Sequence, residues 1–526
     1  MNNTYVSAYI GRMVVSFLMV SFTGALAAQH PNVMISNRNL PNETSICIHP
    51  KDTKKMVAGA NLNNVYYSQD EGRTWQQVNV SSPYGIWGDP VMVADTAGSF
   101  YYLHLSNPVN GSWIDRIVAQ KSTDGGKTWS SGSYMGLNGL KAQDKQWMAV
   151  NPQDNSLHVT WTQFDDYGSN EVKDSSVIMY ARSTDGGQTW SEARRISEQA
   201  GDCIDSDYTA EGAVPCIGPN GEIFVAWSNR NQLWFDRSDD GGATWLAKDI
   251  LVADQPAGWD YDIPNISRAN GLPFTACDLS KGPHRGTVYV HWSDQRNGAN
   301  DTDLWLCKST DRGLSWTDPV RVNDDTTHRH QFFTSMAIDQ TTGWLWFVFY
   351  DRRAYTDHRT DVYMAVSKDG GTTFQNFKVS ESPFRPVAGV FFGDYTGISA
   401  VNNVVRPIWT RLENNVLSVW TALVKPELVN STQNNTTERV ILEQAAPNPF
   451  GDRTFISFKL RSTAYVSLYL YDTSGNRVAT LIEHQKREYG KYVEEIRSDM
   501  LKLSPGTYTA VLTADGKVLK ERIIKI

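Results

Sequence analysis

The sequence has few cysteines and no excess of positive charge, and each shortage excludes a class of protein. Five cysteines among 526 residues are too few, and odd in number, for a fold held together by disulfides. Lys and Arg number 49 against 57 Asp and Glu, which gives a formal net charge of −8. A nucleic-acid binder normally presents a basic face, so we expect no nucleic-acid partner.

Long hydrophobic runs are also missing after the first thirty residues. No later segment reaches the run of about 18 apolar residues that a spanning helix needs, so we expect no transmembrane segment in the mature chain. Residues 14–25 are an apolar run that follows Arg12 and leads into Ala25-Leu26-Ala27, a small-residue cleavage pattern. This stretch predicts a secretory signal peptide over residues 1–28.

The cysteines allow two interpretations. Cys203 and Cys216 are close enough in sequence to pair after export. Alternatively, all five cysteines are small buried hydrophobic residues. No Cys-x-x-Cys or His-rich spacing indicates zinc. We therefore expect no metal site and no cofactor, and the sequence does not decide whether Ca²⁺ binds.

Glycine and aromatic residues are abundant, and an octapeptide recurs. The chain has 39 Gly, 18 Trp, 23 Tyr and 19 Phe, a composition typical of short strands joined by tight turns. The octapeptide Ser-x-Asp-x-Gly-x-Thr/Ser-Trp/Phe occurs six times, at intervals of 54 to 71 residues. A strand-rich repeat of this length predicts an all-β protein, a β-propeller. The aspartates of the six copies are Asp70, Asp124, Asp185, Asp240, Asp311 and Asp369.

The octapeptide has the chemistry of a tight turn. The Asp carboxylate can accept hydrogen bonds from the backbone N–H groups that follow it, and Gly supplies a position with φ > 0. The final Trp or Phe buries a large ring between strands. The motif resembles the Asp boxes, or BNR repeats, of sialidases and related propellers. The resemblance implies that the six aspartates are structural.

The repeat predicts seven blades over residues 29–424. Each octapeptide follows three predicted strands and precedes a fourth, whereas the last unit, residues 395–423, has three strands and no octapeptide. Residues 33–36 have no partner of their own. We expect them to pair beside residues 417–423 as the missing outer strand, which would close the ring and cover an open edge. Six blades, the number in sialidases, is the alternative.

The loops before the first strand and after the second strand of each unit should meet over the central channel, opposite the octapeptide turns. Asp89 and Lys145 precede first strands. Carboxylates near guanidinium groups suit glycoside chemistry, and arginines can hold a carboxylate or sulfate through two bonds. We predict catalytic residues among Asp144, Glu211, Asp351, Asp394 and Tyr395, and an anion-binding set of Arg230, Arg296, Arg352 and Arg411. In the alternative interpretation, Asp294, Asp351 and Glu413 only form rim salt bridges with arginines.

The resemblance to sialidases does not extend to their catalytic residues. No Phe/Tyr-Arg-Ile-Pro motif precedes the first octapeptide, so the sialidase arginines, tyrosine and glutamate cannot be assigned to positions in this chain. The sequence is more similar to a group of exported sialidase-like proteins. That resemblance rests on Gln331-Phe332-Phe333, Tyr350-Asp351-Arg352-Arg353 and Gly393-Asp394-Tyr395.

These features predict an exported protein that binds or cleaves acidic glycans, for example as an exo-glycosidase. Two alternatives stay open. One is a non-catalytic surface or adhesion module that binds glycan or protein, and the other is a lyase that acts on uronate polymers. Fold alone does not choose among them. The expected partner is a glycan or a glycoprotein.

The composition changes near residue 425. All 18 tryptophans lie between Trp75 and Trp420, and a polar linker is predicted over residues 425–441. Short alternating strands in residues 442–526 predict a small Ig-like β-sandwich. This segment resembles the type A C-terminal sorting domain of the type IX secretion system. The matching motifs are Pro447-Asn448-Pro449-Phe450, Leu470-Tyr471-Asp472 with Gly475, Gly506-Thr507-Tyr508 and the terminal Lys525-Ile526. The resemblance implies passage through the periplasm, contact with the secretion machinery, and release or attachment at the cell surface.

Deletion of residues 442–526 should leave a folded propeller that does not reach the cell surface. The linker has nothing to bury, and the propeller is expected to close its own ring. Immunoblots of surface and periplasmic fractions of the native host measure delivery, and a thermal melt of the purified truncated protein measures folding. Normal surface delivery of the truncated protein would show that this segment is not a sorting signal.

Overall fold

The fold is all-β, as the composition predicts. A computed structural model describes residues 30–430, 440–442, 445–460, 463–488, 490–514 and 517–526. The predicted signal peptide, and residues 431–439 of the predicted linker, lie outside the described residues. The chain divides into two compact units, Met1–Pro426 and Glu427–Ile526. Within the described ranges there are thirty-five strands and one short helix, α1 (Pro426–Asn430).

The first unit consists of seven four-stranded antiparallel sheets, numbered here in chain order. The first strand of the chain, β1 (Asn32–Ser36), belongs to the last sheet. Sheet 1 consists of β2 (Ser45–Ile48), β3 (Met56–Ala60), β4 (Asn64–Ser68) and β5 (Gln76–Asn79). Sheet 2 consists of β6 (Gly88–Ala94), β7 (Phe100–Leu105), β8 (Ile117–Ser122) and β9 (Ser133–Met135). Sheet 3 consists of β10 (Ala142–Val150), β11 (Leu157–Phe164), β12 (Ser176–Ser183) and β13 (Arg194–Arg195).

The other four sheets follow the same order of strands. Sheets 4 to 7 are built from β14 (Glu211–Ile217), β15 (Ile223–Asn229), β16 (Gln232–Ser238) and β17 (Ile250–Asp254); β18 (Phe274–Cys277), β19 (Val288–Asp294), β20 (Asp303–Ser309) and β21 (Val320–Arg321); β22 (Gln331–Asp339), β23 (Trp344–Asp351), β24 (Asp361–Ser367) and β25 (Gln375–Lys378); and β26 (Gly397–Val401), β27 (Val404–Glu413) and β28 (Val416–Ala422), to which β1 is added.

The hydrophobic core lies between neighbouring sheets. Leu103 of sheet 2 packs in one cluster with Val159 and Trp161 of sheet 3, and Ile46 of sheet 1 packs in another with Val419 of sheet 7. The middle strands are covered on both faces, so β11 and β15 are buried along their whole length, their polar side chains included. Each sheet therefore depends on its neighbours for burial of its apolar surface.

The seven sheets pack in a cyclic order. The first strand of each sheet contacts the first strand of the next, from β2 through β6, β10, β14, β18 and β22 to β26, and β26 contacts β2. In sheet 7, Val33 pairs with Thr421 and Met34 with Trp420, so β1 covers the outer edge of β28. This confirms the predicted pairing of residues 33–36 beside residues 417–423. Four-stranded sheets in this arrangement are consistent with a propeller.

Each octapeptide forms the turn between the third and fourth strands of sheets 1 to 6. In the copy of sheet 3, the Ser183 hydroxyl and the Thr189 backbone N–H donate to Asp185 Oδ1, at 2.8 and 3.0 Å. The Thr189 hydroxyl donates to Asp185 Oδ2 at 2.5 Å, and these bonds, led by that of Thr189, hold the pKa of Asp185 well below its usual range. The turn is therefore closed by one ionised carboxylate.

The second unit contains two antiparallel sheets. One sheet consists of β29 (Val440–Leu442), β30 (Arg453–Leu460) and β33 (Gly490–Arg497). The other is ordered β32-β31-β34-β35, from β31 (Ala464–Tyr471), β32 (Arg477–Arg487), β34 (Gly506–Ala514) and β35 (Lys517–Lys525). Their buried residues, among them Ile456, Leu468 and Leu512, form one core. The predicted Ig-like topology stays a prediction.

All five cysteines are free, so Cys203 and Cys216 do not form the disulfide that their spacing allows. Four of them are buried and Cys47 is half-buried.

No helix in the described part of the chain is both long enough and apolar enough to cross a membrane.

Replacement of Asp185 by alanine should lower the free energy of unfolding by roughly 1–2 kcal/mol, because the turn loses a carboxylate that accepts several local hydrogen bonds. Urea denaturation measures the change. Glu192→Ala is the matched control, since Glu192 follows the same octapeptide and its side chain is exposed. Equal stability of the two variants would contradict a structural role for the carboxylate.

Candidate functional site

Four first strands contain a β-bulge at equivalent positions. The register shifts between Gly88 and Val91 in β6, Asp144 and Trp147 in β10, Glu211 and Val214 in β14, and Phe332 and Ser335 in β22. The residue that follows the first of each pair has a positive φ: Asp89 at 52°, Lys145 at 50°, Gly212 at 76° and Phe333 at 48°. A bulge bends its strand and re-aims a side chain, and here it brings Asp89 and Lys145 into one cluster.

Lys145 is the centre of a buried ion-pair cluster. Its Nζ lies 2.9 Å from Asp394 Oδ2 and 3.5 Å from Asp89 Oδ2, and Arg268 Nε lies 3.6 Å from the same Asp394 oxygen. Burial opposes the charge of Asp394, but Lys145, Arg268 and a hydrogen bond with Glu43 hold the pKa of Asp394 well below its usual range. Asp394 is therefore an ionised carboxylate with no exposed side-chain surface.

Three other buried carboxyl groups are shifted in the opposite direction. Burial raises the pKa of Asp144 to about 7; Lys145 opposes this rise, and Asp89 and Asp205 add to it. Burial, with Asp394 and Asp89, also raises the pKa of Glu43.

Glu211 is the third of these groups. Burial, with Asp205 and Asp144, raises its pKa well above the usual value, and neither of its side-chain oxygens has a hydrogen-bond partner among the described residues. The cluster thus holds ionised and protonated carboxyl groups side by side, which is the pattern of acid–base sites.

An aromatic-walled cavity of about 430 Å³ lies against this cluster. Trp87 and Trp113 are 40% and 41% exposed, and their rings meet edge to face at 5.9 Å. Tyr167 packs on Trp113 at 5.4 Å and donates from its hydroxyl to Asp205 Oδ2 at 2.5 Å. The charged lining residues are Glu43, Asp89, Asp144, Lys145 and Arg268. Apolar rings beside a few convergent polar groups are the usual composition of a small-molecule site.

Tyr395 lines a second, much smaller cavity of about 30 Å³. Its ring lies 6.0 Å from that of Trp147, and Lys145 Nζ lies 5.9 Å from its centre. Burial, followed by the charges of Asp89, Glu43 and Asp394, raises the pKa of Tyr395 well above its usual value. The phenol is therefore neutral, and its cavity has room for about one water molecule.

The structure brings four of the five predicted catalytic residues together. Asp144, Glu211, Asp394 and Tyr395 all belong to the Lys145 cluster, through direct contact or through their mutual effect on pKa. Asp351 is placed elsewhere. It pairs with Arg353 at 2.7 Å, and burial raises its pKa to about 7 against the opposing charge of Arg353.

The four predicted anion-binding arginines do not meet, and none of them lines the 430 Å³ cavity. Arg296 pairs with Asp294 at 2.6 Å, and Arg411 pairs with Glu413 at 3.0 Å. Arg230 is exposed, with its guanidinium 5.7 Å from the ring centre of Tyr208.

Arg352 is buried and has no carboxylate partner in the described part of the chain. Asp294 and Glu413 therefore form salt bridges with two of the predicted arginines, as in the alternative interpretation. Asp351 forms its salt bridge with Arg353.

Sequence reasoning did not select Glu43, Asp205 or Arg268. Glu43 lies just before the first strand of sheet 1, and this position in the repeat is the signal that identifies it. Arg268 lies in the long segment before β18, where no periodic signal shows which residue turns inward. Its contact with Asp205, at 3.2 Å, joins segments 63 residues apart in sequence.

Two family models match parts of the chain. Residues 444–526 match the model described as "Secretion system C-terminal sorting domain", and residues 181–192 match the "BNR/Asp-box repeat". Both resemblances stated from the motifs are thereby confirmed. The C-terminal segment is a sorting domain that directs type IX secretion to the cell surface or the extracellular space.

The chain is similar in sequence to the xyloglucanase Xgh74A of Acetivibrio thermocellus, at 24% identity over 352 residues, which cover 61% of this chain. The matched region spans 36% of that relative's length. Among solved structures, a Hadza microbial sialidase, Hz136, aligns with a TM-score of 0.41 and 16% identity over 71% of this chain and 74% of its own. Trypanosoma rangeli sialidase in complex with the inhibitor DANA aligns with a TM-score of 0.43 and 10% identity over 95% and 90% of the two chains.

Replacement of Lys145 by methionine should destabilise the protein by about 3–5 kcal/mol, because the change leaves the buried carboxylate of Asp89 without a cation and that of Asp394 with Arg268 alone. Both carboxyl groups would then have raised pKa values in the folded state. A raised folded-state pKa costs stability as pH rises through it, so the deficit should be larger at pH 8 than at pH 5.

Chemical denaturation at the two pH values measures this deficit. Lys141→Met is the matched control, because Lys141 pairs with Asp165 at 2.7 Å but is 38% exposed, and its loss should cost about 0–1 kcal/mol. A deficit for Lys145→Met that is independent of pH would contradict the electrostatic explanation.

Proposed function

We propose that the chain is an exported glycoside hydrolase whose active site is the cavity lined by Asp144, Asp89, Trp87 and Trp113. The observation that carries this proposal is the carboxyl group of Asp144, with a pKa of about 7, beside an ionised cluster in an aromatic-walled cavity. Glycoside hydrolysis needs one protonated and one ionised carboxyl group on the two sides of the scissile bond. Burial supplies the protonated form at Asp144, and the ion pair with Lys145 supplies the ionised form at Asp89.

The scaffold that we infer is a seven-bladed propeller over residues 29–424. The cyclic contacts of the seven first strands, and the pairing of β1 with β28, support this count against six. In such a ring the first strands surround the channel, so residues at or just before their starts converge on one axis. This geometry explains how Glu43, Lys145 and Asp394, from the beginnings of sheets 1, 3 and 7, share one cluster.

Asp144 is assigned the role of general acid. It is buried, it lines the cavity, and its pKa of about 7 leaves a large protonated fraction at neutral pH. Asp89 also lines the cavity and faces Lys145 Nζ at 3.5 Å, so we assign it the role of the ionised partner, as base or nucleophile. Lys145, Arg268 and Asp394 position these groups and set their charge.

The charge of the site favours a neutral glycan. Six acidic residues, Glu43, Asp89, Asp144, Asp205, Glu211 and Asp394, surround two cations, Lys145 and Arg268, and both cations are already paired. A carboxylated sugar would add like charge next to buried carboxylates, which is unfavourable. The similarity to a xyloglucanase supports a polysaccharide as the substrate class. The predicted preference for acidic glycans is therefore not assigned to this cavity.

Replacement of Asp144 by asparagine should lower kcat on a neutral polysaccharide by about 10²–10⁴-fold, the usual contribution of a general acid, while glycan binding is retained. Reducing-end release from xyloglucan and arabinan measures activity, and affinity electrophoresis on the same polysaccharides measures binding. If the wild-type protein binds these glycans and cleaves none of them, the non-catalytic binding module is the correct function.

The pH profile provides an independent test of this role. A general acid must be protonated, so activity should fall as pH rises through about 7. Asp205 raises the pKa of Asp144, and therefore Asp205→Asn should shift this alkaline limb to lower pH. The asparagine keeps an acceptor for the Tyr167 hydroxyl. An alkaline limb at the same pH in Asp205→Asn would contradict the assignment of the limb to Asp144.

A further inference from the structure

The guanidinium of Arg352 is buried without a counter-ion. The residue is 3% exposed, and no carboxylate in the described ranges lies within salt-bridge distance of it. Its Nε donates to Thr360 Oγ1 at 3.1 Å and its Nη1 donates to the Pro264 carbonyl at 2.8 Å, but its Nη2 has no hydrogen-bond partner. Burial alone lowers the pKa of Arg352 to about 10, which leaves it charged at neutral pH.

Arg352 differs in this respect from other arginines near the ends of the second strands in neighbouring sheets. Arg296 in sheet 5 has Asp294, and Arg411 in sheet 7 has Glu413. An unpaired buried charge is among the most costly features in a protein interior, and a second hydrogen-bonded charge compensates it. The two neutral acceptors at Nε and Nη1 leave this compensation incomplete.

Arg352 lines a cavity of about 370 Å³ between sheets 5 and 6. The other lining residues include Arg329, His330 and His358, and none of them lines the 430 Å³ cavity. Arg352, Arg329 and His358 all add to the effect of burial in lowering the pKa of His330, to about 4, so the field in this cavity is positive.

Asp357 is the one acidic residue in the lining, and it is already neutralised. Its carboxylate pairs with Arg359 at 3.0 Å and with Arg385 at 2.8 Å. The cavity is larger than a bare inorganic anion needs and has the size of a small-ligand pocket. It therefore combines a fixed cation, a positive field and room for a monosaccharide.

We propose that this cavity is a binding site for a sugar that carries an oxyanion, either a carboxylate or a sulfate, with the oxyanion on Arg352 and Arg329. Guanidinium groups bind both oxyanions through paired, charge-assisted hydrogen bonds. The site is separate from the proposed active site and does not depend on its activity. A protein with both sites would hold an acidic sugar at one place and cleave a neutral linkage at another.

Isothermal titration calorimetry on the full secreted chain tests the proposal, with glucuronate, glucose 6-sulfate, inorganic sulfate and glucose as probes. We expect glucuronate or glucose 6-sulfate to bind at least tenfold more tightly than glucose and than inorganic sulfate. Arg352→Gln should weaken that binding about tenfold or more. Arg296→Gln is the matched control, because Arg296 is paired with Asp294, and its binding should equal that of the wild type.

Two further variants keep the test decisive if Arg352→Gln does not fold. Arg329 is half-buried and lines the same cavity, so Arg329→Gln should fold and weaken binding. Asp144→Asn should bind glucuronate as the wild type does, whether or not the proposed hydrolase activity exists. The proposal is overturned if neither sugar binds better than glucose, if inorganic sulfate alone binds, or if Arg352→Gln and Arg329→Gln both bind as the wild type.

Discussion

The pairing of β1 with β28 is the constraint on which the first unit depends. It joins the beginning and the end of a segment of almost four hundred residues, and it makes sheets 7 and 1 neighbours. Glu43, before sheet 1, and Asp394, before sheet 7, are in contact because these sheets adjoin. Without closure the two carboxyl groups would lie at opposite ends of an open array, and Lys145 would face only part of its cluster.

The cluster itself is a compromise between burial and charge. Two cations cannot neutralise six carboxyl groups, so the charge is distributed unequally. Asp394 takes the closest contacts to Lys145 and stays ionised, whereas Glu43, Asp144 and Glu211 are easier to protonate. A fully paired network would have been more stable but would have had no group that exchanges a proton near neutral pH.

The sequence predicted the parts of this structure that repeat. The octapeptide and its spacing led to the sheets, the unpaired residues 33–36 led to the closing strand, and the position before a first strand led to Asp144 and Glu211. Contacts between segments that do not repeat could not be predicted from the sequence. Arg268 comes from a long segment without periodicity. Asp351 precedes both Arg352 and Arg353 in sequence, and only the structure shows that it pairs with Arg353 and leaves Arg352 without a carboxylate.

The bulged position of the first strands has a consequence for how such a protein can change. Strand pairing resumes in register on both sides of each bulge, so the side chain at that position is not fixed by the ladder. In four sheets it is a carboxylate, an ammonium group, a hydrogen atom and a phenyl ring, at Asp89, Lys145, Gly212 and Phe333. The bulged position can therefore hold different side chains on the same arrangement of strands. One substitution per sheet can thus give the same scaffold a different chemistry.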